Sequence, residues 1–224
     1  MASKRKGKGS SKTVRYAFYS ITVFIAIVGW FLLWDLAAHG YITQNAFAAD
    51  ASIELSLFFP LIVFSYLLAK GNKLTKIIKD LGLSRKSLTL KNFLFGALLF
   101  GLILLSEFII GEFTALTGIQ LPTNVNIVLT GMPIYFLVFT FLIAPIDEEI
   151  LFRGFLVPRV GIAGSAILFA LPHLLTFASW SEFIAALVFG LLAGYFFKRY
   201  KSLYTTIFAH VFVNFLTIAL MFLL

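Results

Sequence analysis

The stretch GMPIYFLVFTFLIAPIDEEILFRGFLV, residues 131–157, is long and apolar enough to cross a bilayer, yet it carries Asp147, Glu148, Glu149 and Arg153 in its second half. A helical span needs roughly 17 to 25 mainly apolar residues, and a lipid core without water forces the backbone to satisfy itself as a helix. Ionisable side chains inside such a span are costly and mark a functional site by default.

Comparable apolar runs lie on both sides of this segment, at approximately 15–38, 51–69, 92–117, 161–179, 182–198 and 202–223. With 60% hydrophobic and 12% charged residues, the composition falls outside the range of soluble domains. The expected fold is therefore all-α, a polytopic membrane helix bundle of about seven transmembrane helices. The absence of cysteine excludes disulfides, a thiolate nucleophile and cysteine-ligated zinc. The chain divides into a disordered basic tail at 1–13, a three-span region at 14–130 with a basic loop at 70–91, and a four-span region at 131–224. The run from Val14 to Ala38 exceeds the core of a signal peptide and reads as a retained first span.

The formal charge of +8 is spread over short clusters between apolar runs, a pattern of membrane topology and not of nucleic-acid binding. Lys4, Arg5, Lys6, Lys8 and Lys12, the 70–91 loop, Arg159, and Lys198, Arg199 and Lys201 fall on one side under alternate crossings. The loops at 39–50, 118–130 and 179–182 carry no Lys or Arg. This places the N-terminus in the cytoplasm and the C-terminus outside. Leu74, Ile77, Ile78 and Leu81, interleaved with lysines, predict a helix lying on the inner membrane surface. Gly190 and Gly194 predict a close helix–helix approach.

On a helix Glu149 and Arg153 share a face in the favourable order and are expected to neutralise each other, while Glu148 points about 100° away as the freer carboxylate. Two histidines lie inside spans, each with a companion four residues off: Phe169 with His173, and Asn214 with His210. Counted from the assumed cytoplasmic ends, Glu148, His173 and His210 lie at a shared depth of roughly 12 to 18 Å, so they can converge. Pro145 and Pro172 each remove a helical hydrogen bond beside these groups, leaving carbonyls at Phe141 and Leu168 in need of partners and suggesting a cavity.

Glu-Glu-x-x-x-Arg at 148–153, Phe-x-x-x-His at 169–173 and His-x-x-x-Asn at 210–214 together resemble the CAAX protease and bacteriocin-processing (CPBP, or Abi) family of intramembrane proteases, over about Met132 to Leu224. The resemblance implies an intramembrane endopeptidase. Glu148, helped by His173, would take a proton from water, and His210 with Asn214 would stabilise the oxyanion. Glu149, Arg153 and Phe169 would support them. It requires no cofactor, although His173, His210 and Glu148 offer the donors of a zinc site. The site is expected to open toward the cytoplasm, and the partners would be membrane lipids and a membrane-associated peptide or protein, a prenylated CAAX-type tail being one option. Other readings are an ion-coupled transporter or proton relay using Glu107, and a non-catalytic immunity or scaffold protein.

Overall fold

The computed structural model describes Gly29, Gly40, residues 43–119, Leu121, and residues 129–177 and 179–223. The basic tail and nearly all of the expected first span lie outside the described residues. Among those described, regular structure is helical throughout: α1 (Gln44–Ala69), α2 (Leu74–Asp80), α3 (Leu90–Thr117), α4 (Ile134–Leu142), α5 (Ala144–Glu149), α6 (Val157–Phe177), α7 (Trp180–Tyr200) and α8 (Leu203–Leu223). A π-helical turn, Ile150–Leu156, joins α5 to α6.

Polar residues at the span ends set several boundaries. The hydroxyls of Thr43, Thr89 and Ser179 accept from the backbone N–H of Ala46, Asn92 and Glu182, satisfying donors that a helix start leaves without partners. Gly118 closes α3 in the left-handed region, with φ 69°.

Among the described residues, five helical stretches are long and apolar enough to cross a membrane. One of them, Ile134–Phe177, has 44 residues. A straight helix of that length would measure roughly 66 Å, about twice the hydrocarbon thickness. It does not run straight. Gly161 adopts φ 78° and ψ 175° inside it, and the Ser165 hydroxyl donates to the carbonyl of Phe152 over 2.7 Å. Residues 13 apart on one helix would sit roughly 20 Å from each other, so the chain doubles back at Gly161 into the two spans expected from sequence.

The returning arm packs closely on α7. A Cβ at Gly190 would lie 2.9 Å from the Cα of Ala166, and one at Gly194 would lie 2.8 Å from Ile162. The Gly-x-x-x-Gly spacing therefore serves helix packing.

The segment at 70–91 departs from the expected surface helix. Ile77 and Leu81 are each only 1% exposed and join Ile150, Val157, Phe197 and Leu203 in a buried cluster. Their apolar face is turned into the bundle, while Leu74 and the lysines stay outside. Sequence periodicity finds an apolar face but does not say whether lipid or protein covers it.

Candidate active site

The span quoted at the outset begins as α4 and breaks at Ile143, where Pro145 enters the first turn of α5. The break brings Asp147, Glu148 and Glu149 onto a short new helix, and the π-helical turn follows at once. There the N–H of Val157 reaches the carbonyl of Phe152, five residues back, a winding that recurs at functional sites.

The two adjacent glutamates differ in surroundings. Glu149 is fully buried; its Oε1 lies 2.8 Å from the Arg153 guanidinium and 3.0 Å from Nδ1 of His210. Arg153 is itself 1% exposed, and its guanidinium stands 4.2 Å from the ring centre of Phe169 and 4.8 Å from that of Phe189. The cation is thus held by a carboxylate and two aromatic faces. Glu148 keeps 23% of its side chain exposed, and its Oε2 lies 3.7 Å from Nε2 of His210. It is the carboxylate that solvent or substrate can reach.

The imidazoles are oriented by their partners. Nδ1 of His173 lies 3.0 Å from the carbonyl of Phe169. A carbonyl only accepts, so Nδ1 carries the hydrogen, and Nε2 of the neutral ring is left as an acceptor. His210 presents Nδ1 to Glu149, and its ring lies 5.7 Å edge-on to Phe169 and 4.5 Å from Phe189. Phe169 also meets His173, at 4.8 Å. One benzyl ring therefore touches Arg153 and both histidines. The amide of Asn214 donates to the carbonyl of Thr140 over 2.9 Å, beside the α4–α5 break, and its second N–H is left over. Proline placement pointed to the Phe141 carbonyl; the side-chain bond found here goes to the preceding one.

Glu148, His173, His210 and Asn214 all line one cavity of about 340 Å³. Glu148, His173 and His210, expected to converge, lie on three different helices and meet at this cavity. Glu107, on α3, lines the same cavity together with Glu182 at the start of α7. The lining also includes Ser52 and Ser56 of α1, so a helix outside the motif-bearing region forms part of the wall. The Ser56 hydroxyl donates to Asp147 over 3.3 Å.

Two participants escaped the sequence reading. The Glu149–His210 contact joins segments 61 residues apart, and Phe189 carries no motif beyond its place in an apolar span. Among the described residues, no three His, Asp or Glu side chains are gathered closely enough to hold a metal ion.

Residues 130–216 match the model of the family described as type II CAAX prenyl endopeptidase Rce1-like, which places this region in the CAAX protease and bacteriocin-processing family. No curated protein and no solved structure gave a significant match to the chain. The match supports a CAAX-type intramembrane protease in its general class, and the long apolar helices support a multi-pass membrane protein.

Proposed function

Because residues 130–216 are of the Rce1-like type, we propose that the protein is an intramembrane endopeptidase in which Glu148 activates the attacking water. The observation that carries this reading is the convergence of Glu148, His173, His210 and Asn214 on one cavity, with the neighbouring Glu149 already committed to Arg153. Glu148 takes a proton from water while Nε2 of His173 accepts the water's other hydrogen and aims its lone pair. The hydroxide adds to the scissile carbonyl, and the free N–H of Asn214 donates to the oxyanion. The proton on Glu148 then passes to the leaving amine. His210 can donate from Nε2 to the oxyanion only when its ring is doubly protonated, because Nδ1–H is engaged with Glu149.

His173, His210 and Glu148 carry the donor types of a zinc site, but in this arrangement they are not gathered closely enough to hold a metal ion. The reading preferred here needs none. Its support is that each of these groups has a place in a water-activation scheme.

The distribution of Lys and Arg supports a cytoplasmic N-terminus. Under that orientation the cytoplasmic end of the site is blocked by the Ile77, Leu81, Ile150 and Val157 cluster, whereas the cavity lining reaches Ser52 and Glu182, near the opposite helix ends. Substrate entry from that end or from lipid fits the lining better than the cytoplasmic opening expected from sequence. The substrate is a membrane-associated peptide or protein, of which a prenylated tail is one example. Reconstituted protein should cleave such a peptide and Glu148→Gln should not; equal cleavage by the two would refute the proposal.

A further inference from the structure

Residues 70–91, from the end of α1 into the first turn of α3, hold Lys70, Lys73, Lys76, Lys79, Arg85, Lys86 and Lys91 against a single acidic residue, Asp80, which pairs with Lys76. Ile77 and Leu81 anchor it in the bundle, so its basic side chains are directed outward, and Lys73, Lys79, Arg85 and Lys86 are all exposed. Between them Leu74, Leu88 and Leu90 are 52%, 66% and 73% exposed. Apolar side chains interleaved with cations, at the level where two spans end, suit the boundary between acyl chains and phosphates.

The same segment is fastened to the start of α8, the helix that carries His210 and Asn214. The N–H of Leu203 donates to the carbonyl of Gly82 over 3.1 Å. The hydroxyls of Ser202 and Tyr204 donate to the carbonyls of Ser87 and Leu83, and that of Thr205 donates to the carbonyl of Asn92 in the first turn of α3. The fit at Gly82 is close. It has φ 77°, and a Cβ there would lie 3.0 Å from both the Leu203 nitrogen and the Lys201 carbonyl oxygen.

We propose that residues 70–91 form a strap that binds the headgroups of anionic phospholipids and, when bound, steadies the first turn of α8. Phosphates neutralise the mutual repulsion of the strap's cations, and the exposed leucines enter the acyl boundary. Both effects hold the strap against the bundle, and the three hydrogen bonds from Ser202, Leu203 and Tyr204 transmit the restraint to α8. The inference depends on the strap's charge and contacts and not on the proposed peptidase chemistry.

The test uses the full chain in phosphatidylcholine vesicles and in vesicles of phosphatidylcholine with phosphatidylglycerol, reading the thermal unfolding midpoint and hydrogen exchange at the Leu203 amide. The anionic vesicles should raise the midpoint by several degrees and slow the exchange. Combined Lys73→Gln, Lys79→Gln, Arg85→Gln and Lys86→Gln should remove both effects, while the Lys→Arg versions keep them. In the unaltered protein, high salt should remove the anionic-lipid shift, a check that holds even where the Gln variant fails to insert. The inference is overturned if the parent responds equally in both vesicles, if the Gln variant responds as the parent does, or if the shift survives high salt. It is likewise overturned if soluble glycerol phosphate reproduces the shift in neutral vesicles.

Discussion

His210 Nδ1 stands 3.0 Å from Glu149 Oε1, the oxygen that also meets Arg153. The histidine of α8 is therefore aimed by the carboxylate that neutralises the buried arginine. Charge compensation and ring orientation are one arrangement, and disturbing either member disturbs the other.

Arg153→Ala is expected to cost stability as well as activity. It strands Glu149 as an uncompensated charge and removes a cation from between Phe169 and Phe189, a loss on the order of 3 to 5 kcal/mol for a broken buried pair. Unfolding in detergent with cleavage measured in parallel checks this. An alanine variant as stable as the parent would show that the pair does not hold the site together.

Glu148→Gln, His173→Ala and His210→Ala should each abolish cleavage while leaving an inserted, folded protein. Asn214→Ala should be milder, lowering the rate about 10² to 10³ fold, as for the loss of one oxyanion donor. Asn214→Asp should fare worse than Asn214→Ala, because both lose the bond to the Thr140 carbonyl but Asp also sets a carboxylate against that carbonyl and the developing oxyanion. Peptide cleavage in vesicles ranks the variants, and turnover by Glu148→Gln would favour the transporter reading.

Metal dependence has a direct readout. Purified protein treated with chelator should retain its cleavage rate, and elemental analysis should find no zinc in proportion to activity. Activity that is lost on chelation and returns only with zinc would instead make His173, His210 and Glu148 ligands.

Gly190→Leu should disrupt the hairpin of α6 and α7, since Ala166 already sits within contact of a Cβ at that position. Overpacking of this kind costs about 1 to 3 kcal/mol. A fall in unfolding midpoint checks it; an unchanged midpoint would mean that the two helices can part freely.

Topology is open to cysteine labelling in this naturally cysteine-free chain. Ser10→Cys should react only with reagent that reaches the cytoplasm and Thr123→Cys only from outside. The reverse result would invert the orientation and with it the face at which the cavity opens.

The spans from Gln44 to Leu223 were legible because the lipid core imposes a length and a composition that few other folds share. Glu149 with Arg153, and the meeting of Glu148, His173 and His210, were legible because helical pitch and rise are fixed rulers. The Glu149–His210 bond was not, because a shared depth says nothing about which rotamers face each other. Nor was the burial of Ile77 and Leu81, since an apolar stripe has the same periodicity against lipid as against protein. The contribution of Ser52 and Ser56 to the cavity wall was hidden for a related reason: small hydroxyls in a span pass as packing residues until a neighbour gives them a partner.

The wide turn at Ile150–Leu156 makes this span tolerant of one kind of change and intolerant of another. Substitutions there exchange side chains on an unaltered path. Tightening the turn to ordinary winding with the residue number unchanged would turn everything before it by about 100° relative to everything after. Glu148 and Glu149 would then face away from His210 in a helix that had lost nothing in regularity. The width of the turn between Glu149 and the hairpin at Gly161 thus acts as a phase setting for the site.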